Sequence, residues 1–156
     1  MNVLAPVLTK IGQSDLAYTL LLQDQMPSWL YSIKNGATTI WERWNSYSVK
    51  DGFGDVSMNS FNHYSYGAIG EWMYDEMAGI SNDPDNPGFK HTILQPTFDN
   101  DKRITWAKGS FDSVYGTIKS EWEVKNGTLT YDATVPANTT ATVYIPTNNV
   151  STVKES

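Results

Sequence analysis

The spacing of the hydrophobic residues changes once along this 156-residue chain, and the change limits the folds that it can adopt. Before residues 81–88, apolar side chains recur every three to four positions, as they do along one face of a helix. After residues 81–88 they alternate with polar ones, as in a strand that is buried on one side. The segment between them, Ser-Asn-Asp-Pro-Asp-Asn-Pro-Gly, consists of residues typical of loops. The chain is therefore predicted to be α+β, with a helical part followed by a sheet.

The helical part is predicted to contain about four helices. The first carries apolar residues at positions i, i+3, i+4 and i+7, namely Leu4, Val7, Leu8 and Ile11. The others are marked by a capping residue at Ser14 or Asp15, by Pro27, and by apolar positions from Ile69 to Ile80. Glycines stand where three of these helices end, at Gly12, Gly36 and Gly79. Residues 37–61 are predicted to form a long loop, and such a loop inside a compact domain is usually functional.

The sheet part is predicted to be an antiparallel β-sandwich of about five strands. Asn126-Gly127 is the strongest short signal of a β-hairpin, and alternating residues flank it on both sides. The predicted strands cover residues 91–95, 104–111, 117–124, 129–135 and 140–145. We therefore expect a helical domain over 1–80, a linker over 81–90 and a sandwich domain over 91–150.

Composition excludes several classes of function. The net charge is −6 and the pI is near 4.7, and an acidic surface repels phosphate backbones, so no nucleic-acid partner is expected. No apolar run approaches the roughly 20 residues of a membrane span, so no membrane partner is expected either. The sequence leaves the compartment open, and the absence of a signal pattern slightly favours the bacterial cytoplasm. Without cysteine there are no disulfides, thiolate metal sites or cysteine nucleophiles. The two histidines, His63 and His91, lack metal-ligand spacing, so neither a metal nor a cofactor is expected.

The long loop contains one carboxylate between two indole rings, in the run Trp41-Glu42-Arg43-Trp44. Aromatic walls remove water from a carboxyl group, and a glycosidase acid or base is tuned for proton transfer in this way. The residues leave a second interpretation open. In it, Glu42 pairs with Arg43 or another base while the tryptophans fill the core, because ion-pair networks also perturb titration.

A second candidate lies where the loop leads into the fourth helix, in the run Asn59-Ser-Phe-Asn-His-Tyr64. Asn and His at a helix entrance offer donors and acceptors to a polyhydroxylated ligand. Asn62 is equally suited to cap the helix. A single histidine in a first turn, such as His63, is more often structural than catalytic.

These two runs resemble a known family. Thr38-Thr-Ile-Trp-Glu-Arg-Trp44 and Met58-Asn-Ser-Phe-Asn-His-Tyr64 closely resemble blocks of the bacterial α-L-rhamnosidases of glycoside hydrolase family 78. Further blocks extend the resemblance over almost the whole chain, among them Gly67-Ala-Ile-Gly-Glu-Trp72 and Tyr115-Gly-x-Ile-x-Ser-x-Trp122. The resemblance implies a partial (α/α)6 barrel followed by a C-terminal β-sandwich. It also implies a rhamnoside substrate, whose terminal α-L-rhamnosyl bond is hydrolysed with inversion.

By the same resemblance, Glu42 is the general base, His63 hydrogen-bonds the hydroxyls of rhamnose, and Trp44 walls the pocket. An inverting glycosidase also needs a general acid, and in the family it comes from a block earlier in the barrel. Only Asp15 and Asp24 precede Glu42 here, and both lie in helical patterns.

A twelve-helix barrel needs on the order of 200 residues, whereas only about 80 precede the predicted linker. The sequence therefore predicts a fragment that carries the general base, lacks the general acid and is inactive alone. The uncovered faces of a partial barrel further predict that the chain either self-associates or packs its helices on the sandwich. The alternative is a non-catalytic carbohydrate-binding or structural module.

Overall fold

The computed structural model describes residues 3–155. Their contacts divide the chain into two compact units. The first unit consists of residues 3–73 together with Phe98–Ile104, and the second of Tyr74–Thr97 and residues 105–155. The division follows the predicted change in hydrophobic spacing, because the helices lie in the first unit and the two larger sheets lie in the second. The predicted α+β fold is confirmed.

Within residues 3–73, the first unit contains four α-helices and one small hairpin. The helices are α1 (Leu4–Lys10), α2 (Ser14–Leu22), α3 (Trp29–Lys34) and α4 (Ile69–Trp72). A 3-10 turn over Ser65–Ala68 leads into α4, and a π-helical segment over Met73–Ala78 follows it. The hairpin pairs β1 (Tyr47–Ser48) with β2 (Gly52–Phe53) inside the predicted long loop. Among the described residues, no helix is long and apolar enough to cross a bilayer.

The third helix begins two residues later than predicted. Pro27 was expected to start it, but Ser28 is the capping residue, and its hydroxyl oxygen accepts the backbone N–H of Tyr31 at 3.0 Å. Such a cap satisfies a donor that the first turn of a helix leaves unpaired. The helix therefore starts at Trp29.

The fourth helical segment ends earlier than predicted. Ile80 was expected in its last turn, but it is the first residue of a strand. Gly79 separates the two with a left-handed φ of 73°, which glycine adopts without steric cost. A Cβ atom at Gly79 would also lie 2.2 Å from the backbone nitrogen of Pro96, so no larger residue fits there.

A segment remote in sequence, Phe98–Ile104, completes the first unit. Asp99 is 4% exposed, and its carboxylate accepts the backbone N–H of Arg103 at 2.9 Å and two guanidinium N–H groups at 2.7 and 3.0 Å. Arg103 also donates to the hydroxyl of Thr19 at 2.7 Å and to the carbonyl of Asp15 at 3.1 Å. Both of these residues belong to α2. The buried carboxylate therefore orients the arginine that attaches this segment to α2.

Two three-stranded sheets form the second unit. One has the order β3 (Ile80–Asn82), β4 (His91–Leu94) and β8 (Thr140–Val143). The other is a meander of β5 (Trp106–Ser113), β6 (Gly116–Lys125) and β7 (Thr128–Thr134), with Asn126-Gly127 at the predicted β6–β7 turn. The core of the unit consists of Ala78, Ile80, Leu94 and Ile118, with Phe89, Tyr131 and Ala141 packed against it. Because both sheets contribute to this core, the unit is a β-sandwich.

The alternation predicted for β6 is confirmed. Ile118, Ser120 and Trp122 are at most 2% exposed, whereas the residues between them are more accessible. The buried polar groups on this face have partners, as buried polar groups require. The hydroxyl of Ser120 donates to the carbonyl of Ala78 at 2.5 Å, and the indole N–H of Trp122 donates to the carbonyl of Met77 at 2.8 Å.

One sheet is mixed rather than antiparallel. Strand β8 pairs with β4 in parallel, with His91 opposite Thr140 and Leu94 opposite Val143. Parallel neighbours need a crossover connection of a dozen or more residues, and the meander β5–β6–β7 supplies it. The sequence pattern of each strand carries no signal for this long-range pairing, so the prediction of a wholly antiparallel sandwich was wrong in this respect.

Residues 81–90, expected to form a linker, belong instead to a hairpin inside the second unit. Residues 81 and 82 lie in β3, which pairs antiparallel with β4. The side-chain oxygen of Asn82 accepts the backbone N–H groups of Gly88 and Phe89 at 2.9 and 3.1 Å, and these bonds close the loop. The Pro- and Gly-rich composition therefore marks a tight connection between two strands. The domain limits 1–80 and 91–150 stay a prediction.

The helices of the first unit leave large apolar side chains exposed. They include Val7 at 46%, Ile11 at 64% and Ile33 at 61% exposure. Uncovered faces of this kind are what the predicted partial barrel leaves, and apolar patches favour association. Self-association of the chain stays a prediction.

Candidate active site

The two candidate runs lie side by side in the first unit. The backbone N–H of Glu42 donates to the carbonyl of Ser60 at 2.9 Å, and the N–H of His63 donates to the carbonyl of Ile40 at 2.8 Å. Thr39 adds a hydrogen bond from its hydroxyl to the carbonyl of Phe61. These bonds join residues 39–42 to residues 60–63 in antiparallel order. Glu42 and His63 are therefore held on adjacent segments, although 21 positions separate them in the sequence.

A backbone donor orients the Glu42 carboxylate. Its Oε2 atom accepts the N–H of Ser60 at 2.7 Å, and the residue is half-buried. Ion pairs within residues 3–155 join Lys34 to Asp24, Arg103 to Asp99 and Asp101, and Lys108 to Glu121. None of them includes Glu42 or Arg43, so the pairing offered as an alternative for Glu42 is not formed. The carboxylate is thus positioned by the main chain rather than neutralised by a cation.

The two indoles beside Glu42 pack into separate aromatic groups. Trp41 is 7% exposed and makes edge contacts with Tyr47 and Phe61, at centroid distances of 6.4 and 5.4 Å. Trp44 is half-buried and stacks on Tyr66 at 3.8 Å with an interplanar angle of 10°. Trp41 therefore belongs to the core of its unit, whereas Trp44 lies partly accessible in a stacked pair.

A third indole strengthens the group around Trp44. Trp29 meets Trp44 edge-on at 5.1 Å, and its N–H donates to the carbonyl of Tyr66 at 2.9 Å. Edge-on and offset arrangements are the favourable ones for aromatic rings. The ring plane of Trp44 is thus fixed from two directions, as a rigid wall for a ligand requires.

The imidazole of His63, rather than the side chain of Asn62, accepts a backbone N–H at the start of the 3-10 turn. The 3-10 turn starts at Ser65, two residues beyond His63, and the Nδ1 atom of His63 accepts the backbone N–H of Ser65 at 3.2 Å. Asn62 is exposed and makes no cap; its backbone N–H donates to the hydroxyl of Ser60 at 3.1 Å. Because Nδ1 is an acceptor here, the neutral ring carries its proton on Nε2. The half-buried His63 therefore presents an N–H donor while its ring stacks on Tyr64, with centroids 5.3 Å apart.

Sequence reasoning overlooked two residues that position this site. Ser60 supplies the backbone N–H that holds Glu42. Asn59 donates from its side-chain nitrogen to the carbonyl of Ser46 at 2.9 Å, and its side-chain oxygen is buried without a hydrogen-bond partner. Both stand in the run that was singled out for His63, so that run was the available signal. Their partners lie 13 to 18 positions away and leave no periodic pattern.

The two acidic residues before Glu42 are both occupied by local partners. The carboxylate of Asp15 accepts the backbone and side-chain N–H groups of Asn100 at 2.9 and 3.1 Å. Asp24 forms an ion pair with Lys34, and it also accepts a bond from Gln25 at 3.1 Å. The hydrogen bond from Lys34 and then that from Gln25 hold the pKa of Asp24 below its usual value. Both carboxylates are therefore held by residues other than those of the two candidate runs. No group of three or more His, Cys, Asp or Glu side chains within residues 3–155 is arranged to hold a metal ion.

A half-buried carboxylate and an imidazole thus lie on adjacent loop segments beside stacked aromatic rings, and a β-sandwich follows them in the chain. Comparison with protein families places this arrangement among the glycosidases. Residues 1–77 match the model of the bacterial alpha-L-rhamnosidase 6 hairpin glycosidase domain, and residues 79–156 match the bacterial alpha-L-rhamnosidase C-terminal domain. The chain belongs to the bacterial α-L-rhamnosidase family, as its motifs predicted.

Individual relatives agree with this assignment. The chain is 48% identical over 152 residues to an alpha-L-rhamnosidase of Formosa agariphila, which covers 97% of this chain and 16% of that protein. The crystal structure of the Streptomyces avermitilis alpha-L-rhamnosidase complexed with L-rhamnose is similar with a TM-score of 0.88 and 42% identity, over 95% of this chain and 14% of that one. The native enzyme of Aspergillus terreus is similar with a TM-score of 0.84 and 34% identity, over 93% and 16% of the two chains. The chain thus spans about one seventh to one sixth of the length of these relatives.

Proposed function

We propose that this chain is the part of an inverting α-L-rhamnosidase that supplies the general base, Glu42, and binds sugar through His63 and Trp44. The observation that carries the proposal is the pairing of residues 39–42 with residues 60–63. It brings an unneutralised carboxylate and an N–H donor to adjacent segments. The relatives are alpha-L-rhamnosidases, so the proposed substrate class is an α-L-rhamnoside.

In the proposed reaction, Glu42 removes a proton from a water molecule as the water oxygen bonds to the anomeric carbon. The glycosidic carbon–oxygen bond breaks, and the leaving oxygen receives a proton from an acid on the opposite face of the sugar. Inverting enzymes hold the two carboxyl groups roughly 6.5–9.5 Å apart to admit this water. The bond from Ser60 to one oxygen of Glu42 keeps the carboxylate in a fixed orientation, which is what water activation needs.

The proton donor is the component that this chain does not provide. Asp15 and Asp24 are held by Asn100 and Lys34, as described above. We therefore expect the purified 156-residue chain to release no phenol from an aryl α-L-rhamnoside. Turnover by the chain alone would show that the general acid is present after all.

A hybrid enzyme tests the role of Glu42. This chain replaces the aligned segment of the Streptomyces avermitilis protein, which supplies the remainder of a complete six-hairpin domain. Glu42→Gln in the hybrid is expected to lower kcat about 10²–10⁴-fold with little change in KM, because it removes proton transfer and leaves the sugar contacts. Sodium azide should restore part of the turnover of Glu42→Ala and yield a rhamnosyl azide of β configuration, since the anion attacks without needing a base.

The matched control is Glu71→Gln, which changes an exposed acid on α4 and should leave kcat unaltered. If Glu42→Gln retained the full kcat of the hybrid, Glu42 would not be the base. Saturable binding of L-rhamnose to the chain, together with that result, would favour the alternative of a non-catalytic sugar-binding module.

A further inference from the structure

The outer face of the sheet β5–β6–β7 is polar apart from one large aromatic ring. Alternate residues of a β-strand point to opposite faces of the sheet, and Ile118, Ser120 and Trp122 point into the core. The outward positions carry Lys, Asp, Glu, Ser and Thr. Trp106 is the exception, with 59% of its surface exposed. The residues that form the core of the sandwich do not include this ring.

Polar groups surround Trp106 in register. Glu123 lies directly opposite it on β6, and Thr130 lies opposite Glu123 on β7. The adjacent row across the same face consists of Lys108, Glu121 and Asp132. Side chains directly opposite one another are roughly 5 Å apart at Cβ, so the two rows form one continuous surface beside the ring.

These side chains line a shallow depression of about 320 Å³. Its volume is at the lower end of the range for small-ligand sites, which begins at roughly 300 Å³. Lys108 and Glu121 form an ion pair at 2.8 Å across the depression. Glu123 and Asp132 take part in no ion pair within the described residues, and both are exposed. The depression therefore offers an aromatic face, two unpaired carboxylates, a hydroxyl and an ammonium group.

This set of groups suits a neutral pyranose ring. The C–H face of a pyranose packs on an indole, its hydroxyls donate to carboxylates, and its oxygens accept from an ammonium or a hydroxyl group. Three carboxylates against one ammonium repel phosphates and uronates. A cationic ligand would also be drawn to Trp106 and the carboxylates, but Lys108 lies inside the depression and opposes a second positive charge.

We propose that the surface around Trp106, with Glu123, Thr130, Lys108 and Asp132, binds neutral saccharides. Its place on the sandwich makes it independent of Glu42, so it would hold a carbohydrate chain without cleaving it. A shallow, solvent-exposed site with one ring platform implies weak binding to a single sugar, with a Kd on the order of 1–10 mM. Such an affinity becomes useful when several sugars of one polymer are held at once.

Nuclear magnetic resonance of the ¹⁵N-labelled chain tests the proposal residue by residue. Each of the six tryptophans gives one indole N–H signal, and the signals of Trp106 and Trp44 are assigned from the spectra of Trp106→Phe and Trp44→Phe. L-Rhamnose and D-galactose are titrated as neutral sugars, D-galacturonate as an anion, and trilysine as a cation. The neutral sugars should shift the Trp106 signal with saturation, and galacturonate should bind at least about tenfold more weakly.

Calorimetry with a neutral polysaccharide then measures the contribution of the ring. Trp106→Ala should lower the affinity by about tenfold or more, because the stacking platform is lost, and Trp106→Phe should retain part of it. Because Trp106 is mostly exposed, both variants should keep the circular dichroism spectrum of the parent chain. The control is Tyr144→Ala, which removes a 49% exposed ring that lies outside the depression, and it should bind as the parent does.

The outcomes separate this inference from the proposed function. A shift at Trp44 without one at Trp106 would overturn the surface site while supporting sugar binding near Glu42. A shift at Trp106 alone supports the surface site, whatever the hybrid enzyme shows for Glu42. If trilysine alone shifts Trp106, the surface binds cations and the inference is wrong. It is equally wrong if no ligand shifts Trp106 at about 50 mM.

Discussion

Asp99→Asn is expected to destabilise the first unit by about 2–3 kcal/mol. The carboxylate is 4% exposed and accepts two guanidinium N–H groups and the backbone N–H groups of Arg103 and Ile104. A hydrogen bond to a charged group contributes roughly 1.5–3 kcal/mol, but these bonds share one arginine and do not add. The side chain of Arg103 is 31% exposed, so water can solvate its guanidinium group when residue 99 is neutral. The loss of stability is therefore smaller than the full cost of an unpaired buried charge.

The pH dependence of stability follows from the same contacts. Burial raises the pKa of Asp99, but the hydrogen bonds from Arg103 and Ile104, together with the guanidinium charge, outweigh it and hold the pKa below its usual value. A carboxyl group whose pKa is lower in the folded state stabilises the fold above its unfolded pKa, about 3.9. That stability is lost as the pH falls through the folded pKa. The difference in free energy of unfolding between the parent and Asp99→Asn should therefore be largest near neutral pH and decrease below about pH 4.

Amide hydrogen exchange in α2 measures this effect in the first unit alone, and a thermal scan should show a decrease in Tm on the order of 10 °C. The control is Asp101→Asn, because Asp101 also lies 3.3 Å from Arg103 but is 62% exposed. An exposed ion pair contributes about 0–1 kcal/mol, so this variant should resemble the parent. The reasoning would be refuted if Asp99→Asn and Asp101→Asn lost equal stability. It would also be refuted if the stability difference between the parent and Asp99→Asn were the same at acidic and neutral pH.

Two further predictions concern the second unit. Gly79→Ala should lower the free energy of unfolding in urea by about 2–4 kcal/mol, because the added Cβ collides with Pro96 and the backbone has a left-handed φ. Gly127→Ala should lower it by about 1 kcal/mol, because Gly127 has a similar φ of 78° but open space around it. Similar costs for the two glycines would show that the close approach of Pro96 is not limiting. Ile118→Ala should cost about 2–5 kcal/mol because the side chain is fully buried, and Val114→Ala, at 89% exposure, should cost under about 0.5 kcal/mol. A small loss for Ile118→Ala would mean that the two sheets close over the cavity.

The elements that the sequence predicted well are those specified by local contacts. The strands β6 and β7 and their Asn126-Gly127 turn follow from alternation and turn chemistry within about 20 residues. The helices α1 and α2 follow from apolar spacing and from Gly12, which ends the first of them with a φ of 76°.

The features that the sequence did not predict depend on partners far along the chain. The parallel pairing of β8 with β4 joins residues 49 positions apart, and the bond from Ser60 to Glu42 spans 18 positions. Neither produces a periodic pattern. The motif runs predicted that Glu42 and His63 matter together, but they did not predict that His63, rather than Asn62, would accept the backbone N–H of Ser65. The chemical roles of Glu42, His63 and Trp44 stay predictions.

The parallel insertion of β8 has a consequence for biosynthesis. Until residues 140–143 leave the ribosome, β4 is an edge strand whose outer backbone donors and acceptors face water, and such an edge recruits strands from other chains. Residues 91–139 are therefore synthesised while the outer edge of β4 is still unpaired. A nascent chain that stalls before Thr140 leaves this edge of β4 unpaired, so the pairing with β8 also protects the protein from aggregation.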